Sequence, residues 1–280
     1  SHGFVPVMGD APQQTRDAVA AQAKSGAGGT AVSSVILLSV RVALLATALI
    51  LPAGLAMGWL LARKRFYGRW LVDALVHLPL VLPPVVVGYL ALVMLGRRGM
   101  VGSWLHETLG LELSFSFTGA VLAGAIMAFP LLVRSVRVAM VAVDRRVEQA
   151  AATLGASPWR VWWTVTLPLA MHGVVGGIVL AFARALGEFG ATITLAGTIE
   201  NETQTIPLAI YTMVQSPGGE RAAMWLVAAA VAISIAALGI SEYLIRLPGR
   251  QHHMQPQQID PPPTPQPQHV TLRMAGGHGT

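Results

Sequence analysis

The chain of 280 residues contains no cysteine, which excludes disulfides and thiolate metal sites. Charge is scarce as well: 11% of residues are Asp, Glu, Lys or Arg, against roughly 25% in a soluble domain. Hydrophobic residues make up 54% and mean hydropathy is +0.59, so lipid is the expected solvent for most of the chain. The lysines are Lys24 and Lys64, and neither follows a glycine. A phosphate-cradling GxxxxGK[ST] loop is therefore excluded. His106-Glu107 runs on into Thr-Leu-Gly, so HExxH is missing, and no GxSxG elbow occurs. No enzyme activity, bound cofactor or metal is expected of this chain, and His252-His253 read as part of a solvated tail. The net charge of +6 falls largely in short loops beside apolar runs. That arrangement controls topology and does not suggest nucleic-acid binding.

What the chain does have is five apolar runs: Val42–Leu61, Ala74–Gly96, Leu113–Val133, Val161–Ala183 and Ala222–Ser241. Each meets the length of about 20 residues that a spanning helix needs. Backbone groups must be paired in hydrocarbon, so the runs are read as helices, and the fold as an all-α, polytopic transmembrane bundle. Pro79, Pro83, Pro84 and Gly88 mark candidate helix breaks in the second span. Gly173, Gly176 and Gly177 either loosen the fourth span or let helices approach closely. His77 and His172 are read as helix-packing histidines. Residues 203–219 are too polar for a sixth span and read as an interfacial helix. With the loop at 97–116 they form a candidate surface for an external partner.

Residues 1–31 are read as a disordered segment too hydrophilic for a signal peptide, 32–247 as the membrane domain, and 248–280 as a disordered Pro/Gln-rich tail. Arg63, Lys64, Arg65 and Arg69, then Arg134, Arg137, Arg145, Arg146 and Arg160, then Arg246 and Arg250 fall on one side. Arg16, Lys24, Arg97, Arg98 and Arg221 fall on the other. The richer side is cytosolic. The N-terminus is thus expected outside and the C-terminus in the cytosol.

One cytosolic loop, 144–163, stands out. Val147, Ala150, Ala151 and Leu154 recur at helical spacing. Gly155 supplies a stop, and Ser157-Pro158 fits the N-cap and first position of a second helix. Trp159, Trp162 and Trp163 follow as an interfacial belt. An amphipathic connector lying on the membrane would show the same pattern.

The segment EQAAATLGASPWRVWWTVTLP (148–168) resembles the EAA loop of ABC importer permeases. Gln149, Ala150, Ala151, Gly155, Val165, Leu167 and Pro168 occupy that pattern, with Gln for the acid beside Glu148, and Val for Ile. The runs 77–99 and 181–220 are similar to those of molybdate permeases, and ALGEFGA (185–191) is shared with sulfate permeases. The resemblance spans about Val32–Leu247 and implies a type I ABC importer permease in a bacterial cytoplasmic membrane. It implies a second copy of the chain, two ATP-binding subunits carrying ATP and Mg, and an external molybdate-binding protein. The docking residues it implies are Glu148, Gln149, Ala150, Ala151, Leu154, Gly155, Ser157, Pro158 and Arg160. Tungstate or sulfate carriage, or a passive anion channel, are the alternatives.

Arg184 and Glu188 stand four residues apart near the outer end of the fourth span. They are read either as a self-compensating ion pair or as positive potential beside an anion path. Thr192, Thr194 and Thr198 are candidate hydroxyl donors along that path.

Overall fold

A computed structural model describes residues 13–246, leaving out 111, and the side chains of 32–243 apart from 109 and 111. The expectations for the first twelve residues and for the tail from 248 lie outside the described residues. Every regular element among the described residues is a helix.

Helix α1 covers Gln13–Arg63. It starts ahead of Val32, where the sequence reading began the ordered part. Residues 13–31 are rich in alanine, a strong helix former, and contain no proline to interrupt them. Pro52 lies inside α1 without ending it.

The second apolar run does not form one kinked helix. It forms α2 (Arg69–Val81) and α3 (Pro84–Leu95), set at 114° to each other. Leu82 precedes a proline and is forced extended, with ψ 145°. Pro83 lacks an N–H, and Pro84 opens α3 at its first position. Of the four candidate breaks only the Pro83-Pro84 pair acts as one. Pro79 is carried within α2, and Gly88 within α3. By length and composition four unbroken helices suffice to cross a membrane: Val32–Arg63, Phe117–Ala142, Pro158–Leu186 and Glu220–Tyr243. The bent pair makes a fifth span if it counts as one.

The remaining elements are α4 (Met100–Leu109), α5 (Phe117–Ala142), α6 (Arg145–Thr153), α7 (Pro158–Val161), a π-helical turn (Trp162–Thr166), α8 (Leu167–Leu186), α9 (Gly190–Leu195), α10 (Ile206–Val214) and α11 (Glu220–Arg246). Helix α5 is the centre, with Leu132, Val133, Val136 and Met140 fully buried. It is clasped on two sides by glycines at small-xxx-small spacing. A Cβ at Gly54 or Gly58 of α1 would come within 2.5 Å of Leu132 or Val136. One at Gly173 or Gly177 of α8 would come within 2.5 Å of Ala139 or 2.7 Å of Ser135. These two α8 glycines serve close packing, and α8 runs through them unbroken.

Helix α10 is the helix expected within 203–219. Ile206, Leu208 and Ala209 are buried, and the Ile206 N–H donates to Ser39 Oγ of α1 at 2.7 Å. Helix α11 leaves Met224, Trp225, Ile235, Leu238 and Ile240 exposed, as suits a helix solvated by lipid.

Helix α3 rests on α9 through Gly88, where a Cβ would lie 2.7 Å from the Ala191 Cα. Gly88→Leu should force the two apart at a cost of about 1–3 kcal/mol, the range for overpacking. A lowered melting temperature of the solubilised protein checks this. Gly239→Ala, which faces open space on α11, should leave the melting temperature unchanged or raise it.

Candidate functional site

The helix–corner–helix read from 144–163 is present. Asp144 caps α6, its Oδ1 accepting from the Arg146 N–H at 2.9 Å. After Leu154 the chain turns at Gly155, with φ +86°, a left-handed value that favours glycine. The Ala156 N–H returns to the Ala151 carbonyl at 3.2 Å, closing the helix end as a left-handed stop does. Ser157 then accepts from the Arg160 N–H at 3.4 Å, and Pro158 occupies the first helical position.

Helix α6 buries none of its residues. Gln149, Ala150, Ala152 and Thr153 are exposed, and Leu154 is 89% exposed at the corner. Glu148 does not join that surface. Its Oε1 accepts from Arg63 at the end of α1 and from Thr166 at the start of α8, each at 2.7 Å. Arg63 also donates to the Val143 carbonyl at 3.3 Å. One carboxylate oxygen therefore joins α1, α6 and the entry to α8. Glu148, expected among the partner-facing residues, instead has its carboxylate turned to Arg63 and Thr166. The signal available was a basic residue closing the first span beside an acid opening the loop.

Trp159 stacks on Trp162 at 5.5 Å, and Trp163 stands edge-on to both. The π-helical turn begins at Trp162 and carries the chain into α8. With Leu51, Pro52, Leu55, Ala56 and Trp59 of α1, the three tryptophans border an apolar groove of 560 Å³.

Arg184 and Glu188 meet at 2.5 Å, and the Glu188 side chain is only 2% exposed. The other Glu188 oxygen accepts from the Ala191 N–H at 2.8 Å, so the same carboxylate opens α9. The threonines do not converge on this pair as a group. Thr192 is buried. The Thr194 hydroxyl donates to the Gly190 carbonyl of its own helix. Thr198 lines a separate polar hollow with Glu200, Asn201, Gln204 and Thr212.

A third ion pair joins α2 to α5. Arg137 of α5 donates through one nitrogen, Nη1, to both Asp73 oxygens of α2 at 2.9 Å, a charge-assisted contact between the two helices. His77 sits 3.3 Å from the same carboxylate and 2.8 Å from the Asp73 carbonyl. It thus bonds within α2 and not across to another helix. His172 is exposed, with no hydrogen-bond partner among the described residues, which departs from its reading as a packing histidine.

Residues 50–246 match a family model described as the inner membrane component of binding-protein-dependent transport systems. The chain belongs to this family. The permease is 54% identical over 212 residues to the molybdenum transport system permease protein ModB of Escherichia coli (strain K12), an alignment covering 76% of this chain and 93% of that one. It is 52% identical over 211 residues to ModB of Haemophilus influenzae, covering 75% and 92%. The sulfate transport system permease protein CysW of Synechocystis is 36% identical over 177 residues, covering 63% of this chain and 64% of that one. Among solved structures, an inward-facing MetNI methionine ABC transporter superposes with a TM-score of 0.61 at 15% identity, covering 76% and 93%. A bacterial ABC transporter importing alginate superposes at 0.60 and 17% identity, covering 78% and 79%. These two show a shared fold. The permease is accordingly the membrane-spanning subunit of an ABC importer, and its family implies an ATPase and a substrate-binding partner.

Proposed function

We infer that this permease passes molybdate inward across the cytoplasmic membrane, driven by ATP bound with Mg on separate subunits. The substrate reading rests on likeness: 54% identity to a molybdenum permease against 36% to a sulfate permease. Coupling rests on one observation, the exposed α6 surface ending at Leu154 while Glu148 ties its back to α1 and α8. Two copies of the chain form the path about a two-fold axis, since one bundle encloses little space. Two ATP-binding subunits meet Gln149, Ala150, Leu154 and the corner through Arg160. The N-terminus faces outward, where an external binding protein docks near α4 and α10, and the C-terminus is cytosolic. ATP-driven closure of the ATPases drags the docked loops and shifts the helices between inward and outward states. Arg184, a quarter exposed, adds positive potential near the outer end of the path, and Glu188 holds it in place.

The test is uptake by the complex reconstituted in vesicles, with molybdate, tungstate and sulfate in competition. ATP-dependent molybdate uptake resisting excess sulfate is expected. Uptake without ATP would mean a channel, and sulfate preference would reassign the cargo.

Gly155→Val probes the coupling. No atom crowds a Cβ there, so the penalty is conformational, about 1–2 kcal/mol for a left-handed L-residue. Strain at the corner is expected to reduce the ATPase that co-purifies while leaving the solubilised permease folded. Unchanged co-purification would count against docking at this corner.

A further inference from the structure

Several arginines of this permease have a built-in partner: Arg63 with Glu148, Arg137 with Asp73, Arg184 with Glu188. Arg134 differs. It is exposed on α5, and no carboxylate pairs with it among the described residues. With His172 of α8 it borders a groove of 700 Å³ between the two helices, walled by Ser135 and Val138 on one side and Gly176 on the other. A Cβ at Gly176 would meet nothing within 4 Å, so the groove is open there.

Depth makes this placement costly. Arg134, which the sequence places just past the third span on the cytosolic side, falls inside the longer helix Phe117–Ala142, about 12 Å from its Ala142 end at 1.5 Å per residue, and His172 lies near the midpoint of the span Pro158–Leu186. Ionisable side chains within a span avoid lipid and face water or protein. The guanidinium has five donors, the imidazole at least one, and the Ser135 hydroxyl one more, a set suited to a tetrahedral oxyanion.

We propose that the α5–α8 groove is one wall of the anion path, with Arg134 and His172 contacting the oxyanion within the membrane. The proposal rests on the reading of the permease as an oxyanion carrier. A groove open on one side leaves the anion partly hydrated and weakly held, as passage requires. The phosphate of a phospholipid headgroup offers the same chemistry, and the test separates the two.

The absence of cysteine makes the test direct. Val138→Cys, at an exposed groove position, places one thiol in each copy of this chain, and the complex without the change supplies the background from cysteines of the partner subunits. Membrane-impermeant thiosulfonates should label it. After correction for intrinsic reactivity, the sulfonate reagent should outpace the trimethylammonium reagent by about tenfold, the low end of electrostatic focusing. Molybdate should slow the labelling. Adding Arg134→Gln should abolish the charge preference, and Arg134→Lys should retain it. In the chain without the introduced thiol, Arg134→Gln should lower uptake by about tenfold, and Arg134→Lys should recover most of it, with ATPase assembly unchanged in both. A thiol unlabelled both with and without ATP places the groove against lipid or protein and overturns the proposal. Labelling that follows the anionic lipid content of the vesicles, and not added oxyanion, assigns the site to headgroups and overturns it too. Charge preference surviving Arg134→Gln removes Arg134 from the path. Protection by sulfate but not by molybdate upholds the groove while sinking the molybdate reading.

Discussion

Glu188→Gln is expected to cost the permease much of its folded yield. The carboxylate is 2% exposed and serves two partners, Arg184 at 2.5 Å and the Ala191 N–H at 2.8 Å. Removing one member of a buried pair strands the other charge, at about 3–5 kcal/mol. Arg184 keeps a quarter of its side chain exposed, which places the expected loss near the lower end. Against a total stability of about 5–15 kcal/mol that is still a large fraction. Melting temperature and yield in detergent are the readouts. The double change Arg184→Met with Glu188→Leu separates causes, because an apolar pair of similar size often replaces a buried ion pair without loss. It should regain part of the yield, short of about 1.5–3 kcal/mol for the lost charged bond to Ala191. Its uptake should remain below that of the native permease if Arg184 also supplies potential to the anion. A double change as poorly folded as the single one would show that the pairing is not what Glu188 contributes.

Glu148→Ala is the second large effect, and it should appear in coupling. The change removes the hydrogen bonds from Arg63 and Thr166, each worth about 1.5–3 kcal/mol when one partner is charged. The Glu148 side chain is 19% exposed, so water that reaches the node softens the loss. Helix α6 loses its tie to α1 and α8, while Leu154 and Gln149 stay on its surface. The ATPase should still bind and hydrolyse ATP, with more ATP consumed per anion imported. Gln149→Ala, on the exposed face, should leave the permease's own stability unaltered. An unchanged ratio of ATP to anion in Glu148→Ala would rule out this node as the route for force.

Local features were legible in the sequence. The Gly155 corner, the Ser157 cap and the i,i+4 pairing of Arg184 with Glu188 depend on residues within a turn or two of each other. The features missed depend on direction or distance. A hydropathy window adds composition without orientation, so α2 and α3 merge into one run despite the 114° between them. Arg63 lies 85 positions from Glu148, and nothing local tells which way that carboxylate faces. Asp73 and Arg137 are separated by 64 positions. Thr194 shows a different failure. A helical threonine has its own carbonyl acceptor four residues back, and here the hydroxyl uses it.

The Glu148 node has a mechanical consequence. A handle riveted at two points transmits thrust without swivelling. Under the proposed docking, a load entering at Leu154 reaches the base of α1 and the base of α8 together, and both helices meet α5 through close glycine-lined seams. The Leu82-Pro83 joint is the contrast, since no ladder of backbone bonds crosses it to resist bending.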